Sequence, residues 1–375
     1  MILRPLVIAW KELLQLRRDR MTLAMMAMLP LLQLLLFGYA INTDVRHIRT
    51  VVYDSDHSAE SRELVRSLEA TRFYDIVGHV QSYAEIAATL RGSRARVALV
   101  VPPDYSSRLR RGQRASLELV VDGSDPQIVA SAINTASALV LARSSELLLS
   151  RLARLGGGVA SEPIALEPNT LYNPDLRTAV YVVPGLVGVI LTMTMVMLTA
   201  MAIARERERG TLEQLIVSPV RRFELVIGKI IPYVGIGYVQ MALVLLLGRY
   251  GFDVALTGSL ALLFALAFVF IASNLALGLF FSTLAKTQQQ AMQMSFFFLL
   301  PNILLSGFMF PFEAMPRPAQ LLAELLPLTH FLRIVRGITL KGSEFADVQM
   351  ELYWMCGILA VLVVAASLRF TKKLA

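Results

Sequence analysis

Between Ser259 and Phe281 the chain runs for 23 residues without one charged side chain, and nearly all of them are apolar. About 20 such residues are what a helix needs to cross roughly 30 Å of hydrocarbon. Five more uncharged runs follow the same pattern, at Met21 to Ile41, Tyr181 to Ala204, Ile230 to Gly248, Ala291 to Phe310 and Leu352 to Leu368. Only helices and closed barrels satisfy every backbone group in lipid, and runs of this length call for helices. The expected fold is an α-helical polytopic membrane protein with six transmembrane helices.

Composition points the same way. Hydrophobic residues make up 55% of the 375 and charged ones only 17%, against roughly 45–50% and about 25% in soluble globular domains. The net charge of +8 would suit a nucleic-acid binder, but the basic residues cluster at the ends of apolar runs and in one polar segment. Topology accounts for them, and no nucleic-acid partner is expected. The single cysteine, Cys356, excludes an intrachain disulfide and a cysteine metal cluster and reads as a packing residue.

With the N-terminus inside, the inner segments collect Arg4, Lys11, Arg17, Arg18, Arg20, the loop Arg205 to Lys229, Lys286, Arg369, Lys372 and Lys373. The short outer loops hold only Arg249, Arg317, Arg333, Arg336 and Lys341. The positive-inside rule therefore selects cytoplasmic N- and C-termini, the latter in the tail 369–375. Residues 1–20 place Leu3, Leu6, Val7, Trp10, Leu13 and Leu14 on one helical face and Arg4, Lys11, Gln15 and Arg18 on another. That pattern predicts an amphipathic interfacial helix.

Residues 42–177 read as an α/β extracytoplasmic domain inserted after the first span. Strands are expected at Thr50 to Tyr53, Phe73 to Val80, Ala95 to Val101 and Ala115 to Val121, and helices at Ser58 to Thr71, Ser82 to Arg91 and Pro126 to Leu155. The glycines after Leu155 and the prolines Pro163, Pro168 and Pro174 suggest a linker back to the membrane. Asp54, Asp56 and His57 follow a strand and read as turn formers rather than metal ligands. Arg108, Arg110, Arg111 and Arg114 read as solvated surface, with an acidic partner or lipid headgroups as the alternative.

No span carries Asp, Glu, Lys or His in its interior, which argues against ion- or proton-coupled transport. Asn274, Gln33 and Asn302 are the main polar side chains there, of the kind that joins helices. There is no G-x-x-x-x-G-K-S/T motif, since Gly228-Lys229 is followed by Ile230. The chain is not expected to be an enzyme or to bind ATP itself. Methionines gather in the first two spans, and lipid-facing packing and a flexible substrate lining both remain open for them.

One charged run interrupts the apolar pattern, R-E-R-E-R-G-T-L-E-Q-L from Arg205 to Leu215. Ser218 then reads as a helix N-cap and Pro219 as the first residue of a helix running into the third span. The run, followed by Ser218-Pro219, resembles the cytoplasmic signature of the permease subunits of ABC-2-type exporters, also called type V. A second match lies in Gly307, Phe310-Pro311, Met315-Pro316, Leu326-Pro327-Leu328-Thr329-His330, Arg333 and Arg336-Gly337. This region, 311–345, is similar to that family's outer-leaflet re-entrant hairpin, marked by Pro311, Pro316, Pro327, His330 and Arg333. Its segments Ala319 to Leu326 and Leu328 to Leu340 are too short to span.

The resemblance implies a transport subunit in the bacterial inner membrane. A second permease copy or paralogue and separate ABC ATPase subunits would complete it, with ATP and Mg on the ATPase and no cofactor on this chain. A periplasmic adaptor and an outer-membrane channel are further implied partners, beside membrane lipid. The loop would be a coupling helix. Glu206, Glu208 and Glu213 would make polar contacts to the ATPase, and Leu212 and Leu215 the apolar seat, within a signature that includes Gly210, Thr211, Ser218 and Pro219. Lys286 and Gln288, between the fourth and fifth spans, would form a second contact.

The cargo implied is amphipathic or drug-like, with lipid, polysaccharide or sodium as alternatives. A membrane-anchored sensor would need an output domain that Arg369 to Ala375 is too short to supply. An intramembrane enzyme using His330 as base finds no carboxylate near it in sequence.

Overall fold

The computed structural model describes residues 45–155, 163–208 and 222–369. The expected interfacial helix, the span Met21 to Ile41 and residues 370–375 of the tail lie outside them. The described chain forms a five-stranded sheet covered by helices and a bundle of long helices with a short helical hairpin.

Strands β1 (Ile48–Asp54), β2 (Tyr74–His79), β3 (Val97–Val101), β4 (Ala115–Asp122) and β5 (Ile164–Leu171) lie in the order β2-β1-β3-β4-β5. Neighbours are parallel except β3 and β4. Parallel pairing needs crossover helices, and these are α1 (Ala59–Ala70), α2 (Tyr83–Arg91) and α4 (Pro126–Leu155), with the short α3 (Tyr105–Arg110) leading into β4. Ser58 and Ser82 cap α1 and α2, each accepting from the N–H three residues on.

Alternation along the strands divides the core. Val97, Leu99, Leu117 and Leu119 face α1 and α4, while Ala98, Val100 and Val120 face Ile86 and Leu90 of α2. Each buried valine, leucine or isoleucine among them contributes roughly 1.5–3 kcal/mol. Helix α4 is long and apolar enough to cross a membrane, but Ile128, Val129, Ala132 and Ala136 pack into the sheet core. It therefore belongs to the sheet domain.

The expected linker is corrected here: Pro168 lies within the fifth strand, β5, and Pro163 immediately precedes it. Pro163 O accepts from Ala115 N–H, and Pro168 stands opposite Leu119 in the β4–β5 ladder. A proline fits because β5 is an edge strand, bonded on one side only.

The bundle is built on α5 (Thr178–Glu208), with α6 (Arg222–Gly251), α7 (Leu260–Leu284), α8 (Gln288–Leu305) and α11 (Phe345–Arg369). Segments of α5, α6, α7 and α11 are long and apolar enough to cross a membrane. Helix α8 stops at Leu305 rather than at the expected Phe310, because Gly307 takes φ +84° and turns the chain away. Gly278 lets α7 approach α5 closely. A Cβ there would lie 2.7 Å from Val196 O and 2.8 Å from Thr199 Cβ.

After α8 come a turn of 3₁₀-helix (Phe312–Ala314), α9 (Arg317–Ala323) and α10 (Pro327–Lys341). Fifteen residues at 1.5 Å each give α10 roughly 22 Å, short of a full span. The helix starts at Pro327 and ends at Gly342, which adopts φ +64°. Its buried face includes Phe331, stacked on Phe270 of α7 with ring centroids 4.0 Å apart.

Candidate functional site

Three groups of polar side chains join these elements. The first lies where α5 leads toward residues 209–221. Glu208 accepts from Gln288 N at 3.0 Å and from Gln288 Nε2 at 2.6 Å, at the N-terminal end of α8. Arg207 Nη1 donates to Ala285 O at 2.7 Å and Ser282 O at 3.2 Å, carbonyls of the C-cap and the last turn of α7. Carboxylate at a helix N-terminus and guanidinium at a C-terminus are the favourable signs for both dipoles. Arg205 Nε also donates to Gln288 Oε1, and Lys286 N donates to Gln290 Oε1. Beneath them Ala200, Ala204, Ala285 and Ala291 pack without bulk between the helices.

The structure thus brings Glu208 and Gln288 into direct contact, next to Lys286, with the half-buried Glu206 two residues up the same helix. Sequence reasoning treated these as two separate surfaces. Gly210, Thr211, Leu212, Glu213, Leu215, Ser218 and Pro219 lie outside the described residues.

The second group lies in the hairpin. His330 is fully buried, with Nδ1 2.5 Å from Glu351 Oε2 and Nε2 2.9 Å from Glu324 O. Arg333 Nη2 donates to Glu324 Oε1 at 2.8 Å, its Nη1 to Glu351 at 3.3 Å, and its guanidinium lies 4.5 Å above the Phe312 ring. Trp354 of α11 covers the His330 ring at 6.0 Å. His330 therefore has carboxylate neighbours, contrary to the reading from sequence, because Glu351 arrives 21 residues later on another helix. Pro311 and Pro316 flank the 3₁₀ turn, and Pro327 opens α10. Together these residues tie α9, α10 and α11.

Sequence reasoning missed the third group, which joins the hairpin to the sheet domain. Lys341 Nζ lies 2.6 Å from Asp122 Oδ2 and 2.8 Å from Ser93 Oγ, and Lys341 and Asp122 are both buried. Arg96 bridges Asp122 at 2.9 Å and Glu313 at 3.1 Å. Burial alone would raise the Asp122 carboxyl, but Lys341 and Arg96 hold it at about 2. Burial pushes nearby Asp125, the residue before Pro126 of α4, up to about 6. A basic residue immediately before a strand and a lysine at a helix end were the only local signs of this group.

Elsewhere, Asp54 Oδ1 accepts the N–H groups of Asp56 and His57, forming a turn. Arg108 pairs with Asp104, and Arg110 holds the Glu60 carboxylate through Nε and Nη2 at 3.0 and 3.2 Å. These two arginines are thus engaged within the domain. Within the bundle Thr194 Oγ1 donates to Gln240 Oε1 at 2.8 Å, linking α5 and α6 through a glutamine that sequence reasoning overlooked. Asn274 Nδ2 donates to Phe270 O of its own helix. Cys356 is exposed on α11 rather than packed, because that helix buries little of its surface against the rest of the chain.

The comparisons with known proteins agree with this architecture. The family described as "ABC-2 family transporter protein" matches residues 20–368. The probable multidrug ABC transporter permease YbhR of Escherichia coli is 33% identical over 363 residues, 97% of each chain. The probable multidrug ABC transporter permease YbhS of the same organism is 29% identical, covering 89% of this chain and 87% of that one. The linearmycin resistance permease protein LnrN of Bacillus subtilis is 22% identical over 91% of this chain and 92% of its own. A membrane chain matched over nearly its whole length by such permeases belongs to the ABC-2 family of transporter proteins.

Proposed function

We propose that this chain is the permease subunit of an ATP-driven exporter moving amphipathic or drug-like molecules out of the cytoplasm or inner membrane. The observation that carries the reading is the clamp of Glu208 and Arg207 onto the α7–α8 turn. A push on the charged run that follows α5 would reach α5, α7 and α8 together rather than one helix alone. The run from Glu206 to Leu215, including Glu213 and followed by Ser218-Pro219, is the coupling element seated on a separate ABC ATPase. ATP and Mg sit on that ATPase.

Further support comes from chemistry. Between Thr178 and Ala204, and throughout α7 and α8, there is no Asp, Glu, Lys, Arg or His, so a coupling ion or proton finds no carboxylate or imidazole there. The multidrug naming of two relatives favours apolar or amphipathic cargo. In this reading six spans cross the membrane and both termini are cytoplasmic. The sheet domain and hairpin lie on the outer side, where an adaptor and outer-membrane channel would dock, and a second permease copy completes the path.

The test is co-purification of the intact chain from its native membrane, followed by dye efflux. Wild type should bring down an ABC ATPase, and Glu213→Ala should reduce both recovery and efflux. Unchanged recovery and efflux in that variant, or a kinase in place of the ATPase, would overturn the proposal.

A further inference from the structure

Of the four histidines, His47, His57 and His79 are exposed and His330 alone is fully buried. Both of its ring nitrogens face acceptors. Nε2 lies 2.9 Å from the Glu324 carbonyl oxygen, which can only accept, so Nε2 carries a hydrogen. Nδ1 lies 2.5 Å from Glu351 Oε2. A bare ring nitrogen and a carboxylate oxygen would meet there lone pair to lone pair, so a second proton stands between them. Arg333 Nη1 donates to both Glu351 oxygens at 3.3 Å, as suits an ionised carboxylate. The second proton therefore belongs to Nδ1, and the ring is an imidazolium.

With that proton in place the charges close. His330 and Arg333 balance Glu324, at the end of α9, and Glu351 of α11. The other ionisable groups nearby are engaged elsewhere. Glu313 of the 3₁₀ turn pairs with Arg96, Lys341 with Asp122, Arg336 donates to Gly307 O, and Asp347 of α11 accepts from Glu344 N–H. Helix α5 between Thr178 and Ala204, α7 and α8 bring no ionisable side chain to the packing around α10. Trp354 stacks on the imidazole at 6.0 Å and shields its face. The ring itself is sealed, but the side chains of Glu324 and Glu351 are 30% and 22% exposed. Water reaches the carboxylates, and through them a proton can enter or leave.

We propose that His330 and Glu351 form a proton-binding site that locks the hairpin to α11. With the proton, a hydrogen bond between opposite charges joins α10 to α11. Without it, a lone pair faces a carboxylate in a buried place, and Glu351 and Glu324 share Arg333 alone. Raising the pH therefore loosens α9 and α10 from α11, while Lys341 and Asp122 continue to hold the hairpin to the sheet domain.

The test uses the intact chain in lipid nanodiscs, isotope-labelled at the histidine ring nitrogens. His330 is identified without any variant, as the ring whose N–H protons exchange slowly with water. At about pH 6 its spectrum should show both nitrogens protonated, and the Nδ1 proton should be lost as the pH is raised. Hydrogen exchange across Arg317–Lys341, corrected for the pH dependence of exchange itself, should quicken several-fold over the same range. In Glu351→Gln an amide can either accept from Nδ1–H or donate to bare Nδ1, so the contact outlives the proton and exchange should stay level. One bare nitrogen on the buried ring at about pH 6, wild-type exchange that ignores pH, or the same pH response in Glu351→Gln would each overturn the proposal.

Discussion

Lys341 and Asp122 stand 219 residues apart in sequence, yet their charged atoms meet at 2.6 Å in a buried site. The pair fastens the end of the hairpin helix to the end of a strand in the sheet domain.

Breaking a buried ion pair on one side leaves an uncompensated charge and costs about 3–5 kcal/mol. Arg96 still shields Asp122 when Lys341 is lost, so Lys341→Met is expected near the lower figure. The apparent melting midpoint of the purified chain should drop by roughly 5–10 °C. A shift below about 2 °C would show that the junction contributes little.

Asp122 and Asp125 respond to pH with opposite signs. Asp122, held at about 2 against an ordinary 3.8, stabilises fully above pH 3.8, and that contribution disappears as pH falls through 2. Asp125, raised to about 6, favours the folded state in acid and loses that advantage as pH rises from 3.8 to 6. Asp125→Asn keeps an acceptor for Gln127 N–H. It should therefore stabilise by about 1–3 kcal/mol at pH 7 and hardly at all at pH 4, as read from melting curves across that range. Equal effects at both pH values would contradict this assignment.

Gly278→Leu should prevent α7 from reaching α5, since the first added atom already meets the Val196 carbonyl at 2.7 Å. A loss of more than about 2 kcal/mol is expected, seen as a collapsed monodisperse fraction in size-exclusion profiles. Gly235→Ala, where no atom lies within 4 Å of the added carbon, should instead gain up to about 1 kcal/mol from helix propensity.

Glu351→Gln removes the carboxylate at His330 Nδ1, while Glu324 stays 3.6 Å from Nε2 and paired with Arg333, for a cost of about 1–3 kcal/mol. His330→Phe combined with Glu351→Leu should recover much of that loss, because an apolar pair removes both hydrogen-bonding partners together. Thermal melting of the three variants would decide, and a double variant less stable than Glu351→Gln would argue against it.

Glu208→Ala and Gln288→Ala remove the same contact between α5 and α8. In the exporter reading each should lower dye efflux while leaving ATPase co-purification intact, and the double variant should be no worse than either alone. Additive losses would mean that the two side chains act separately.

Much of this architecture was legible because its signals are local. Uncharged runs marked α5, α6, α7 and α11, and the helices expected over 58–71, 82–91 and 126–155 are found as α1, α2 and α4. Three features were not legible. The prolines of β5 argued for a linker, and only its edge position makes Pro168 acceptable. The six residues of α3 are too few to show a helical period. The partners of His330 and Lys341 come from elements far along the chain, and pairing of that kind leaves no trace in spacing. Of the candidate site, residue types near the end of α5 could be named, but not their mutual contact.

The proline in β5 has one more effect. An open sheet edge offers a ladder of donors and acceptors to any strand that drifts alongside. At Pro168 that ladder lacks a rung, and Glu167 beside it is exposed and charged. Neighbouring copies crowded at a membrane surface therefore meet an edge poorly suited to zipping into a shared sheet.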